Sequence, residues 1–250
     1  MCQISSASCE SNASFNSQNK GRDSYEMELQ KWCDEVKFHS EYEGRATAVQ
    51  KIRNCLETID TELDLSYLYL TSIPKEINLL IHLENLNLNG NELTSFPDEI
   101  FKLSKLKNLS LETNRLSFLS EEIGNLKNLE TLNMSYNSLS ALPSRIGELE
   151  HLTAISLRRT NLESLPEQFF NLKQLRCVDL AENWLSELSE SIGDLENLQS
   201  IDLERNLLIE LPATIGKLKQ LEKLVLKYND FTSIPPEIYT LSNLKELILV

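Results

Sequence analysis

Several things that would define an enzyme or a membrane protein are scarce in this chain. No apolar run reaches the roughly 18 residues of a transmembrane helix, so no membrane span is expected. Cations are few: 24 Lys and Arg stand against 38 Asp and Glu, a net charge of −14. Phosphate-backbone binding needs clustered cations, so nucleic acid is not an expected partner. The five cysteines, Cys2, Cys9, Cys33, Cys55 and Cys177, are odd in number and include no C-x-x-C pair, which points to free thiols in a reducing compartment. His39, His82 and His151 lie far apart in sequence, and no metal-ligand spacing is present, so neither metal nor cofactor is expected. The seven glycines form no phosphate-binding loop. Met1-Cys2-Gln3-Ile4-Ser5-Ser6 has neither a charged start nor an apolar core, which argues against a secretory leader. With no nucleophile–base motif or recognisable carboxylate pair, the chain is not expected to be an enzyme.

What is present is a period of 23 residues. Leucines 83, 106, 129, 152, 175, 198, 221 and 244 each open the pattern L-x-x-L-x-L-x-x-N-x-L-x-x-L-P-x-x-I-x-x-L, with no insertion or deletion between starts. One copy reads Leu198, Ile201, Leu203, Asn206, Leu208, Leu211, Pro212, Ile215, Leu218. This is the leucine-rich repeat signature. Its first part alternates apolar and polar residues, as in Leu221–Leu226, and predicts a short strand. Its second part, such as Ile234-Pro235-Pro236-Glu237-Ile238, carries proline and predicts a turn or short helical return on the outer side. The expected fold is an α/β solenoid, a horseshoe whose concave face is one parallel sheet. Nine strands are expected, centred on Leu63, Leu86, Leu109, Leu132, Ile155, Val178, Ile201, Leu224 and Leu247. One repeat cannot offset the entropy of ordering itself, so stability must be shared along the stack.

Asn91, Asn114, Asn137, Asn183, Asn206 and Asn229 form a second ladder, expected to satisfy backbone groups where each strand turns outward. Thr160 and Leu68 replace this asparagine, and Ser120 and Ser189 replace the proline, as local variations. Gly124, Gly147, Gly193 and Gly216 recur at one repeat position and read as turn residues.

The chain divides into three expected parts: a disordered Ser/Asn-rich tail at 1–24, a helical N-terminal cap at 25–59, and a repeat domain at 60–250 of about 8.5 repeats. In the cap, Leu29, Trp32, Cys33 and Val36 fall on one helical face, and Val49, Ile52, Leu56 and Ile59 on another. Gly44 between them suits a turn, and Trp32 reads as a packing residue. The chain stops in the ninth strand, which reads as a truncation or as an exposed edge that a partner or second copy pairs with. Oligomeric state is not readable.

Two segments carry a resemblance. The first combines Arg45-Ala46, Ala48-Val49, Ile52-Arg53 and Cys55-Leu56 with Thr61-Glu62-Leu63-Asp64-Leu65-Ser66 and Leu70-Thr71-Ser72-Ile73-Pro74. It resembles the lead-in of leucine-rich repeat proteins from host-associated bacteria, including secreted effectors. One effector group carries a C-terminal ubiquitin-ligase domain with a catalytic cysteine. No cysteine here matches that motif, so ligase activity is not carried over. The second segment, Leu142-Pro143-Ser144-Arg145-Ile146-Gly147-Glu148-Leu149, resembles the Ras-group repeat of cytoplasmic signalling scaffolds. The resemblance implies a non-enzymatic interaction module in the cytoplasm or delivered into a host cytosol. The alternative is the recognition arm of an enzyme whose catalytic domain is absent.

Strand residues two, four, six and seven places after each repeat start form columns on the concave side. Arg158 and Arg159 sit centrally beside Tyr136, and Trp184 and Leu207 occupy a place that is usually polar, as at Glu92, Arg115, Ser138, Asn161 and Asp230. With Glu182, Arg205 and Tyr228 they make up the expected site for a protein partner, since Arg, Tyr and Trp most often anchor interfaces. The competing expectation is a solvated face held by intra-sheet charge pairs such as Arg158 with Asp179 or Arg205 with Glu182. Nine strands at about 4.8 Å spacing give a face on the order of 40 Å long, suited to a protein and too open for most small molecules.

Overall fold

The repeat folds as its period requires. In the computed structural model, which describes residues 24–36, 39–95 and 97–249, nine three-residue strands run from β1 (Glu62–Asp64) to β9 (Glu246–Ile248). They form one parallel sheet in strict sequence order. The register advances by one repeat at every step: Leu63 faces Leu86, and so on to Leu224 facing Leu247. From β2 to β7 the central apolar residue is buried and its neighbours face out. Between strands the chain returns through eight short 3₁₀ helices, η1 (Lys75–Leu79) to η8 (Pro236–Thr240). Proline precedes six of them, with φ between −57° and −70°, preset for the first turn. Where Ser120 and Ser189 replace it, the hydroxyl caps instead, accepting from the N–H of Glu122 and Ser191.

The tail at 1–23 lies outside the described residues. Ser24 begins α1, a helix over 24–34, and α2 follows at His39–Thr58. Leu29, Trp32, Cys33, Val49 and Ile52 bury against the first repeat. Arg45 ties the helices to it: buried itself, it donates to the Trp32 carbonyl, Glu41, Thr71 and Ser72, and lies 4.7 Å from the Trp32 ring. The Trp32 indole also donates to Ser72 at 3.0 Å. Three expectations are corrected here. Gly44 is not a turn; it lies inside α2, because a Cβ there would come within 1.7 Å of the Leu68 carbonyl oxygen. Ile59 is not on the apolar face; at φ 57° it leaves α2 in the left-handed region and is exposed. Gly124, Gly147, Gly193 and Gly216 are not turn glycines; they lie inside the 3₁₀ helices η3 (Glu121–Asn125), η4 (Ser144–Glu148), η6 (Glu190–Asp194) and η7 (Ala213–Lys217), and at Gly147 a Cβ would meet the Gln168 carbonyl oxygen of the next coil at 2.2 Å. Gly44 and Gly147 are required by close approach of neighbouring backbone.

The core is a set of buried columns, mostly leucine, continuous from the cap to Leu241. The asparagine ladder supports it. Asn114 donates to the carbonyls of Leu88 and Leu111 and accepts from the Leu93 N–H, linking neighbouring coils. At Thr160 the short side chain bonds the Leu157 carbonyl and Asn183 Oδ1 of the following coil, and Asn183 also accepts from the N–H of Thr160 and of Leu162.

Candidate interaction surface

Alternation along each strand puts one residue into the core and the next onto the concave floor. The residue seven places into each repeat then leaves the sheet with positive φ: Tyr67, Thr113, Tyr136, Arg159, Glu182, Arg205 and Tyr228 lie between 54° and 57°, and Gly90 at 65°. Left-handed backbone at a non-glycine residue is unfavourable by about 1–2 kcal/mol. The backbone bonds between coils enforce it, as in Tyr136 N–H to the Arg158 carbonyl at 2.8 Å. These residues form a ledge beside the floor. The period shows where the ledge falls but carries no glycine signal to announce its backbone.

The structure separates the expected site residues into two sets. Arg158 belongs to the floor and is only 21% exposed. It contacts Glu182 at 3.3 Å, Asp202 at 3.8 Å and Glu204 at 3.2 Å, spanning two coils. The expected Arg158–Asp179 ion pair does not form; Asp179 acts on Arg158 only at longer range. Burial works against the charge of Arg158, but Asp179, Asp202, Glu182 and Glu204 outweigh it and raise its pKa. Burial, followed by the fields of Asp179 and Glu204, raises the Asp202 pKa despite a backbone hydrogen bond and Arg158. Arg158 and Glu182 are thus engaged within the sheet.

The second set lies on the ledge. Arg159 approaches the Tyr136 ring at 6.0 Å, and Arg205 the Tyr228 ring at 4.9 Å. Arg205 is not paired with Glu182 as expected; its carboxylate neighbour is Glu204 at 4.0 Å. Trp184 and Leu207 stand out in consecutive coils, 53% and 50% exposed, although each contributes its backbone N–H to the preceding coil. Ile209, 64% exposed, extends this patch and was not among the expected residues. Its signal is readable: the equivalent places hold Thr94, Ser117, Ser140, Glu163 and Ser186. A ledge that exposes Trp, Leu, Ile, Tyr and Arg together can bury apolar area against a protein surface.

Cys55 lies 3.9 Å from His82 Nε2, and burial, with Asp60 adding to it, pushes the thiol up to about 11. Among the described residues there is no cluster of His, Cys, Asp and Glu suited to a metal ion, and no helix long and apolar enough to cross a membrane.

Comparison with known proteins agrees with this architecture. The family model described as a leucine-rich repeat region matches residues 120–184 and 171–250, and a second leucine-rich repeat model matches residues 81–139. The chain belongs to the leucine-rich repeat family. Among solved structures it is similar to a leucine-rich repeat protein of Leptospira interrogans, with 33% identity over 79% of this chain and 63% of that one, TM-score 0.63. It is also similar to the plant peptide hormone receptor RGFR1, solved in complex with RGF2, with 40% identity over 76% of this chain and 32% of that one, TM-score 0.68. The chain therefore spans less than two thirds of the length of either protein. The leucine-rich repeat domain of the type III effector XopL shares the fold across 99% of this chain and 97% of its own, at 20% identity and TM-score 0.70. Among curated proteins nothing matches.

Proposed function

We propose that this chain is a non-enzymatic protein-interaction module that grips a partner protein on its concave side, along the ledge formed by Tyr136, Arg159, Trp184, Arg205, Leu207 and Tyr228. The observation that carries this reading is the joint exposure of Trp184 and Leu207 in consecutive coils, next to Arg159 and Arg205. A soluble solenoid has no structural use for an exposed tryptophan in a row whose other members are mostly polar. Arg158 supports the ledge from the floor, where it holds the Glu182 carboxylate. The effector-like lead-in favours action in a cytosol, as a bacterial effector delivered to a host or as a signalling scaffold.

The effector-like lead-in at residues 45–74 also supports a second reading, the substrate-recognition arm of a larger enzyme such as a ubiquitin ligase. An in-frame catalytic domain downstream in the gene would support that reading.

The test is affinity capture with the wild-type chain, an Arg159→Glu/Trp184→Ala/Leu207→Ala variant, and a control altered on the outer side, Tyr239→Ala. Circular dichroism checks that all three fold. A protein held by wild type and control but lost by the ledge variant is the expected result. A protein lost only by the control moves the site to the convex side.

A further inference from the structure

The floor of β2 (Asn85–Asn87), β3 (Asn108–Ser110) and β4 (Thr131–Asn133) has a different chemistry from the ledge and is unused by the proposed partner site. It forms a shallow depression of about 410 Å³, edged by Glu62 and Asp64 of β1. None of its outward residues is cationic. Its amides are half spent. Asn85 Oδ1 accepts from Asn108, Asn87 Oδ1 from the Asn89 N–H, and Asn89 Oδ1 from Ser110 and from the Glu112 N–H. The Nδ2 groups of Asn85, Asn87 and Asn89 have no partner among the described residues. Three aligned amide donors thus face solvent beside two acceptor-only carboxylates.

An aromatic platform borders them. Tyr67 is 73% exposed, and its N–H donates to the Asn89 carbonyl at 2.9 Å. Its ring lies over Gly90, where a Cβ would come within 2.3 Å of ring carbons. Gly90 is the only glycine in the ledge column, and that is where a ring takes the space of a Cβ. The tyrosine is otherwise largely open to solvent.

We propose that this end of the concave face is a binding site for a neutral oligosaccharide. Such a ligand offers what the site lacks: hydroxyls that both accept from amides and donate to carboxylates, and apolar ring faces that stack on an aromatic. The negative edge and the absence of cations on the floor reject sulfated or otherwise anionic sugars. Open sheet faces are known to hold oligosaccharides, whereas compact ligands need enclosure. The proposal stands on different residues from the protein-partner ledge and does not depend on it.

The test is titration of the full chain, by calorimetry and saturation-transfer NMR, with neutral tetrasaccharides of glucose, mannose and N-acetylglucosamine. A sulfated tetrasaccharide and an uncharged Gly/Ser peptide serve as comparators. A neutral sugar should bind. Tyr67→Ala should weaken it on the order of tenfold, the scale of one aromatic contact, and Tyr67→Phe should retain it. Gly90→Ala, which displaces the ring, should act like Tyr67→Ala, while Trp184→Ala should change nothing. Failure of all neutral sugars, preference for the sulfated one, or binding of the peptide alone overturns the proposal.

Discussion

The two ends of the concave floor differ in how their side chains are neutralised. Under β2–β4 they are amides and hydroxyls bonded coil to coil: Asn108 to Asn85 at 2.5 Å, Thr131 to Asn108 at 2.5 Å, Ser110 to Asn89 at 2.7 Å. Under β5–β7 a single guanidinium, Arg158, holds three carboxylates and reaches two coils ahead. Beneath both, the leucine columns are the same, and so is the asparagine ladder except where Thr160 interrupts it. Inward positions are set by the stack, while outward positions touch only neighbours on the same face. A solenoid can therefore carry unlike surfaces on one frame.

This comparison breaks first if the shared frame is not shared. Asn206→Ala and Asn114→Ala each strand several buried backbone groups, and each should cost on the order of 3 kcal/mol, equally at the two ends. Urea unfolding of both variants checks this, and unequal losses would mean that the floor above contributes to the frame. Next comes Arg158→Ala. It leaves Glu182, Asp202 and Glu204 facing one another, and should lower stability by about 2 kcal/mol, recovering part of that in high salt. Asn108→Ala at the neutral end, whose side-chain partners are Asn85 and Thr131, should cost about 0.5 kcal/mol with no salt dependence. Thermal melts of the pair at low and high ionic strength separate the cases.

A smaller effect concerns pH. The folded-state pKa of Asp202 is raised, so the folded chain holds this proton after the unfolded chain has released it. Stability attributable to Asp202 is thus fully present below the ordinary carboxylate pKa and declines as pH rises through the raised value. Asp202→Asn should remove that decline and gain stability at neutral pH, seen as a flatter melting profile between acid and neutral pH. The smallest expected change in stability, within about 0.5 kcal/mol, belongs to Trp184→Ala, because that side chain is mostly exposed. Its effect should fall on partner capture, and a large loss of stability would instead make Trp184 a packing residue.

Much of this was readable before any coordinates. Strand centres, the proline-led returns, the asparagine ladder and the helices ahead of the first repeat follow from a period kept without interruption, because each column position repeats its environment. Trp32 as a packing residue was equally legible. Gly44 was not: its reason is the Leu68 carbonyl, 24 residues away, and no local pattern announces it. Nor was the partner choice of Arg158, which prefers Glu204 two coils on to Asp179 in the adjacent strand. Ile209 was missed although its column is visible, because exposure is decided by the turn that follows the strand.

The division has one physical source. Periodic burial is a property of each residue's own position, so spacing and residue type alone determine the solenoid, its core and its ladder. Contacts across coils depend on side-chain reach and on how closely backbones approach. The clamp at Arg158, the seat of Tyr67 on Gly90 and the left-handed ledge therefore exist only once the coils are stacked.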